Sequence, residues 1–61
     1  MNGNAQLLTV SEAANYLRVS TSYTYKLAEA RLINHYRVGR RLLFNPADLD
    51  AWLQAQLVPA V

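Results

Sequence analysis

Two short stretches of helical periodicity, separated by only three residues, constrain the fold of this chain more than any other feature of its sequence. Apolar residues recur at helical spacing in the first stretch, at Val10, Ala13, Ala14 and Leu17. The second stretch repeats that spacing with Thr24, Leu27, Ala28 and the aliphatic stem of Arg31. The link, residues 18–20, ends on Ser20, whose hydroxyl is a preferred N-cap. Two short helices joined by so short a turn must pack across each other, which is the helix-turn-helix arrangement.

The start of the first helix is marked by a capping box. Thr9 and Glu12 have the spacing at which the threonine hydroxyl caps an amide and the glutamate carboxylate reaches back to the cap residue. We therefore expect the first helix over about residues 10–17. The second helix is expected to end near Ala30 or Arg31, although the glycine that usually takes a left-handed conformation after a helix is missing there. Leu32 and Ile33 are expected to return the chain to the core.

The outward face of the second helix is polar, aromatic and cationic. Each residue turns the helix by about 100°, which places Ser22, Lys26 and Glu29 opposite the apolar stripe. Tyr23 and Tyr25 fall on the two flanks. An ordinary solvated helix has no need of these tyrosines, whereas a helix in a DNA groove uses hydroxyls and cations for base edges and phosphates. This face is therefore a candidate DNA-reading surface, and a plain surface helix is the alternative.

Charge is concentrated in the middle of the chain. All six cations lie between Arg18 and Arg41, where Glu29 is the single carboxylate, so this segment carries a formal +5 while the whole chain carries +2. Clustering of one sign is the electrostatic footprint of a nucleic-acid binder. The chain has no cysteine, and its lone His35 cannot form a metal site by itself. We expect no metal, no cofactor and no small-molecule substrate.

A second basic element follows the helices. Residues 35–44 contain two β-prone runs around Gly39, which predicts a hairpin whose tip and strands carry Arg37, Arg40 and Arg41. A two-residue loop at 39–40 would put Tyr36 and Val38 on the opposite face from Leu42 and Phe44, while a three-residue loop would bring all four onto one face. We expect the longer loop, with Leu43 exposed. The three arginines are expected to reach DNA phosphates, and a solvated hairpin is the alternative.

The last helix begins at a well-formed start signal. Asn45 is expected to cap it, Pro46 to take its first position, and Asp48 to lie near the positive end of its dipole. It is expected to run to about Leu57, with Trp52 as the central core side chain. Its predicted buried stripe is Leu49, Trp52, Leu53 and Leu57. The predicted domain organisation is a flexible lead over 1–7, one domain over 8–57 and a short tail over 58–61.

These residues, taken in order, resemble the excisionase-type, MerR-like winged helix-turn-helix domains over about residues 7–54. In the helix-turn-helix the matching segments are Leu-Thr-Val at 8–10, Glu-Ala-Ala at 12–14, Tyr-Leu at 16–17, Val-Ser at 19–20 and Tyr-Lys-Leu at 25–27. After it they are Tyr-Arg-Val-Gly-Arg-Arg at 36–41 and Asp-Leu-Asp-Ala-Trp-Leu at 48–53. Three positions depart from the family pattern: Thr21 where an arginine is common, Arg31 where a glycine is usual, and Leu43 where a wing arginine is often found.

The resemblance implies a mainly α fold with a small β-hairpin, namely a helix-turn-helix, a two-stranded wing and a C-terminal helix. It implies a bacterial, phage or mobile-element protein that places its second helix in the major groove of double-stranded DNA and its wing on phosphates or the minor groove. Such proteins act as recombination directionality factors (excisionases) beside an integrase or a second copy of themselves, or as small transcriptional regulators.

The candidate DNA-binding residues combine the second helix, the turn before it and the wing. They are Arg18, Ser20, Thr21, Ser22, Tyr23, Tyr25, Lys26, Arg37, Arg40 and Arg41. The competing function from another class is a protein-interaction module that uses Leu43, Tyr23 and the apolar tail 58–61. An enzyme is not expected, because Ser11, Ser20 and Ser22 have no evident base partner. No apolar run approaches the roughly 18 residues of a membrane span, and we expect a cytoplasmic, nucleoid-associated protein.

Overall fold

The computed structural model describes residues 6–60, and the predicted flexible lead over 1–7 lies largely outside them. In chain order the elements are β1 (Leu8–Thr9), α1 (Val10–Leu17), α2 (Thr21–Glu29), β2 (Tyr36–Val38), β3 (Arg41–Phe44) and α3 (Pro46–Ala55). The mainly helical fold with a small antiparallel sheet agrees with the predicted winged helix-turn-helix. The domain boundaries at 8 and 57 stay a prediction.

Helix α1 is the element against which the others pack, with contacts to α2, α3, β1 and β3. The capping box is confirmed: the Thr9 amide donates to Glu12 Oε1 at 2.9 Å, and the Glu12 amide donates to Thr9 Oγ1 at 3.2 Å. All four residues of its predicted apolar stripe are buried. Because two of them are alanines, α2 can approach α1 closely, and this approach fixes the helix-turn-helix geometry.

Helix α2 begins as predicted, with Ser20 Oγ accepting the Tyr23 amide at 3.0 Å. Its inward face is also confirmed, since Thr24, Leu27 and Ala28 are buried. The Thr24 side chain is fully buried, and its hydroxyl donates to the Ser20 carbonyl at 3.0 Å, so no polar group is left without a partner there. The expectation that the stem of Arg31 continues the stripe is wrong, because Arg31 lies beyond the last turn and is exposed.

Helices α1 and α2 end in the same way. After α1, the Val19 amide donates to the Ala14 carbonyl at 3.0 Å and the Arg18 amide to the Asn15 carbonyl at 3.2 Å. After α2, the corresponding donors are Leu32 to Leu27 at 2.9 Å and Arg31 to Ala28 at 3.0 Å. This pair of bonds is the Schellman motif, whose left-handed position is usually glycine. Arginine takes that position in both motifs, with φ of 61° at Arg18 and 59° at Arg31.

The chain after α2 returns to the core through one residue rather than two. Ile33 is buried, but Leu32 is 65% exposed, which corrects the expectation that both would be buried. The same left-handed turn after α1 is followed by Val19, which packs against the core, so the turn alone does not account for the exposure of Leu32. His35 precedes β2 instead of lying in it, and its Nδ1 is 3.0 Å from the Ile33 carbonyl oxygen.

The wing is wider than expected, because β1 joins it in a three-stranded antiparallel sheet of order β1-β3-β2. The expected three-residue loop is wrong: Val38 pairs with Arg41, which leaves a two-residue turn at 39–40. Gly39 has φ of 63°, the positive φ that a type II′ hairpin turn requires at its first central residue.

The shorter turn decides which wing side chains face the core. Tyr36 pairs with Leu43 and Arg37 with Leu42, so Tyr36 and Val38 lie on the face opposite to Leu42 and are exposed. Leu43 is partly buried rather than exposed, since it pairs on its other side with Thr9 of β1. The wing therefore contributes Leu42 and Phe44 to the core and presents its cationic turn outward.

Helix α3 begins as predicted, with Asn45 Oδ1 accepting the Ala47 amide at 3.0 Å, and ends at Ala55 instead of Leu57. Leu49 is fully buried, but Leu53 and Leu57 are exposed and Trp52 packs partly buried at the margin of the core. The central core side chains are Phe44 and Leu49, so the expectation that Trp52 holds that place is wrong.

None of the helices within residues 6–60 is long and apolar enough to cross a membrane.

Candidate nucleic-acid interface

The outward face of α2 is free of packing. Ser22 and Lys26 are exposed, and the flanking Tyr23 and Tyr25 are 45% and 48% exposed. Two tyrosines left half in water on a nine-residue helix are unusual, because a tyrosine ring is a large apolar surface. The face thus presents a cation, hydroxyl groups and two aromatic rings to whatever lies against it.

The residues at the start of α2 divide between capping and exposure. Ser20 uses its hydroxyl oxygen to accept the Tyr23 amide, although its O–H hydrogen remains able to donate. Thr21, the first residue of the helix, is exposed and has no capping role. Both side chains lie at the positive end of the α2 dipole, where an anion is favoured.

An open cleft separates α2 from the wing. Tyr25 of α2 lines it together with Arg40 and Arg41 of the wing and Ser11 at the start of α1. The other lining residues are Thr9, Val10, Leu42 and Leu43. The fold therefore brings one tyrosine on the flank of the outward face of α2 into the same cleft as two arginines of the wing, and no carboxylate within residues 6–60 lines this cleft.

Arg37 lies elsewhere. It belongs to a second cleft, at the C-terminal end of α2, which is lined by Ala28, Glu29, Arg31, Ile33, Asn34, His35 and Arg37. The structure therefore separates the three wing arginines into a pair beside the middle of α2 and a single one beside its end. Sequence reasoning did not place Arg31 in the candidate site, although the missing glycine at that position was the available signal.

Arg18 lies at the opposite end of the motif. It follows α1, is exposed, and lines a third cleft with Leu8, Glu12, Ala14, Asn15, Tyr16 and Val19. Arg18 is thus close to the start of α2 along the chain but does not share a cleft with the wing arginines.

Within residues 6–60, no group of three or more His, Asp or Glu side chains could hold a metal ion.

The six cations are all exposed, and they are distributed around α2. Arg18 lies before the helix, Lys26 on its outward face and Arg31 after it, while the wing cations flank it. Glu29 of α2 lies among these cations, and Asp48 of α3 accepts a long hydrogen bond of 3.4 Å from the amide of Asn34, which lines the cleft of Arg31 and Arg37. Asp50 accepts a hydrogen bond from the Tyr16 hydroxyl. The exposed cations thus surround α2, with carboxylates beside its C-terminal end.

A family model described as Helix-turn-helix domain matches residues 7–57 of the chain. This match covers both helices of the motif, the wing and α3, and it is consistent with the excisionase-type resemblance inferred from the sequence. Neither the curated proteins nor the solved structures include a match to the chain.

Proposed function

The chain belongs to the helix-turn-helix domain family, a DNA-binding family, and on that premise we propose that it is a small excisionase-like protein that recognises a specific site in double-stranded DNA. Members of such a family act by binding and not by catalysis. The proposal assigns base recognition to α2, phosphate binding to the wing, and a role in recombination to the protein.

The outward face of α2 enters the major groove in this proposal. A helix with its side chains is about 10–12 Å in diameter, which fits a major groove about 12 Å wide, and the nine residues of α2 would lie along it. Lys26 lies at the centre of the exposed face, where it can reach guanine acceptors, and Ser22 and Tyr23 can donate to base edges or phosphates. Ser20 and Thr21 meet a phosphate at the N-terminal end of α2.

The wing follows the same duplex on one side of α2. The observation that carries this proposal is the cleft that joins Tyr25 of α2 to Arg40 and Arg41 of the hairpin turn. A phosphate strand that borders the groove occupied by α2 would run through this cleft, with two guanidinium groups on one wall. Arginine suits this position because its planar group binds phosphate oxygens in pairs and fits a narrow minor groove.

The role in recombination rests on the resemblance to excisionase-type domains. A directionality factor binds DNA near a recombination site and alters its path, with an integrase or a second copy of the same protein bound alongside. The single helix-turn-helix supports this kind of role, because one small module reads only a short site and needs a neighbour for high specificity. A transcriptional regulator with the same DNA-binding mode is the second candidate, favoured by the same exposed face of α2.

A footprinting experiment tests the proposal. The purified chain is incubated with DNA that flanks its own gene, and protection from cleavage is mapped at increasing salt. We expect a protected site whose affinity falls steeply with salt, because phosphate contacts release counterions. Protection at an attachment site, with enhanced excision when an integrase is added, supports the directionality role, whereas protection at a promoter alone supports regulation. Salt-insensitive behaviour without any protected site would contradict DNA binding.

A further inference from the structure

Arginine occupies two backbone positions where glycine would be less strained. Arg18 and Arg31 take the left-handed position of the two Schellman motifs, with φ of 61° and 59°. A side chain at this φ places its Cβ close to the following carbonyl oxygen, and glycine avoids this contact. Both helices of the motif therefore end on a residue that strains the turn, and backbone strain of this kind is found at functional positions.

Packing does not explain the arginine at position 31. The side chain is exposed, and the core beside it is completed by Ala28 and Ile33, which are both buried. A cation after the last turn of a helix does interact favourably with the helix dipole. That benefit is available to any cation near the end of the helix, however, and does not require the left-handed position.

The surroundings of Arg31 suggest a ligand. Arg31 shares a cleft with Arg37 of the wing. Asn34 and His35 also line it, but the Asn34 amide already donates to Asp48 and His35 Nδ1 lies 3.0 Å from the Ile33 carbonyl oxygen. Glu29 is the one carboxylate among the lining residues, so two guanidinium groups outnumber it. Such a cleft favours an anion with several acceptor oxygens, because two arginines can each donate paired hydrogen bonds to it.

We propose that Arg31 and Arg37 together bind one phosphate of the DNA backbone at the C-terminal end of α2. This inference rests on the proposed function and extends it. A helix that lies in the major groove has a phosphate strand on each side, so cations beside the end of α2 can contact one of these strands. Arg31 then anchors the end of α2, as Arg40 and Arg41 anchor its flank.

Four variants test the proposal on a mixed-sequence duplex and on the footprinted site. Arg31→Gly removes both the cation and the strain, Arg31→Ala removes the cation alone, and Arg31→Lys keeps a cation. The fourth variant combines Arg31→Gly with Gln54→Arg, which restores the net charge on the exposed surface of α3, a helix that packs on α1. For each variant we would measure the melting temperature and the dependence of DNA affinity on salt.

The two readouts should move in opposite directions for Arg31→Gly. Its melting temperature should rise by about 4–8 °C because the strain is relieved, while its plot of log affinity against log salt should flatten by at most about one unit, because Arg37 remains beside the same phosphate. Arg31→Ala should show the same loss of slope without the rise in melting temperature. Arg31→Lys should keep the slope, and the charge-restored double variant should still show the loss.

Three results would overturn the proposal. An unchanged affinity and slope in Arg31→Gly, with a wild-type chain that binds DNA, would mean that Arg31 makes no phosphate contact. Full recovery in the charge-restored variant would assign the effect to net charge rather than to this cleft. A fall in the melting temperature of Arg31→Gly would mean that the cation serves the helix dipole instead. A wild-type chain that binds neither duplex would contradict the proposed function itself, which is a distinct outcome.

Discussion

The two faces of α2 differ in burial and in polarity. The inward face consists of Thr24, Leu27 and Ala28, which are at most 4% exposed, and its one hydroxyl is satisfied by the backbone. The outward face carries a lysine, a glutamate, hydroxyls and two half-exposed tyrosines. The inward face packs within the protein, and the outward face is the one that our proposal places against DNA.

This contrast teaches that stability and binding reside in separable side chains. A chain of 61 residues has a small core and little stability to spare, so each buried side chain contributes a large share of it. Exposed polar side chains contribute little to stability, so residues on the outward face can be substituted with little change in the free energy of unfolding. We therefore expect substitutions on the inward face of α2 to lower stability and substitutions on its outward face to weaken DNA binding, even where the two residues are adjacent in the chain.

The largest effect is expected from Leu27→Ala on the inward face. Removal of a buried leucine side chain leaves a cavity, and the free energy of unfolding should fall by about 2–5 kcal/mol. Urea denaturation followed by circular dichroism would measure this loss. The salt slope of DNA binding by the fraction that remains folded should be unchanged. If the variant has the same urea midpoint as the wild type, Leu27 does not contribute to the stability of the core, and the assignment of the inward face is wrong.

The next effect concerns the hairpin turn, which should behave like the outward face although it lies on another element. If Arg40 and Arg41 each neutralise one phosphate, replacing both by alanine should flatten the salt dependence by about two units and weaken binding roughly 50-fold at about 0.1 M salt. The melting temperature should not change, because both side chains are exposed.

Replacement of the same pair by lysine provides the control for the hairpin, since lysine keeps the charge but not the planar fork. The lysine variant should retain the slope. A loss in the alanine variant that is larger on A·T-rich than on G·C-rich flanks would indicate entry into a narrow minor groove. An unchanged slope on specific and mixed-sequence duplexes alike would mean that the turn faces solvent or a protein.

A smaller effect, confined to binding, is expected from Lys26→Ala. Lys26 precedes Leu27 in the chain but lies on the outward face, so its removal should weaken binding to the specific site by about 1–3 kcal/mol. Titration of the footprinted duplex by fluorescence anisotropy would measure the loss, and the urea midpoint should match the wild type. Equal affinities of variant and wild type for that site would remove α2 from the recognition role.

The same contrast explains which parts of the fold could be predicted from the sequence. Helix starts were predictable because Thr9, Ser20 and Asn45 cap through hydrogen bonds to amides two or three residues away. The faces of α1 and α2 followed from periodicity, because one stripe of each helix had to be buried. These signals are local: capping and helical periodicity depend on residues that are close together in the sequence.

The end of α1 at Leu17 was predicted correctly, whereas α2 and α3 end earlier than expected. The wing was also predicted less well, since its geometry depends on distant parts of the chain. The register of the wing is fixed partly by β1, which pairs with β3 through Leu8 and Phe44, some 36 residues apart. Phe44 fills the core centre from the sheet, and Trp52 is left at the margin. Arg18 and Arg31 adopt left-handed conformations that their residue type does not signal.

The smallest effect is expected at a contact that belongs to neither face of α2. The Tyr16 hydroxyl of α1 donates a hydrogen bond to the Asp50 carboxylate of α3, and this bond, with lesser contributions from desolvation and the carboxylate charge, raises the pKa of Tyr16 above its ordinary value of 10.0. A raised pKa means that the folded state favours the neutral hydroxyl. The bond should therefore add stability in full below the unfolded pKa, and that stability should disappear as pH rises through the folded pKa.

Two variants measure this contact. Tyr16→Phe should melt slightly below the wild type at neutral pH, and the difference should vanish in strong alkali, where the wild-type hydroxyl is ionised. Asp50→Asn should lower the pKa of Tyr16 toward its ordinary value, which NMR of the Tyr16 ring as a function of pH would report. Neither variant should alter the salt slope of DNA binding, because the contact joins α1 to α3 on exposed side chains away from the α2–wing cleft. If Tyr16 titrates identically in wild type and Asp50→Asn, the hydrogen bond does not form in solution. A changed salt slope would mean instead that the α1–α3 contact helps to position α2, and the separation between the stabilising and binding side chains would not hold.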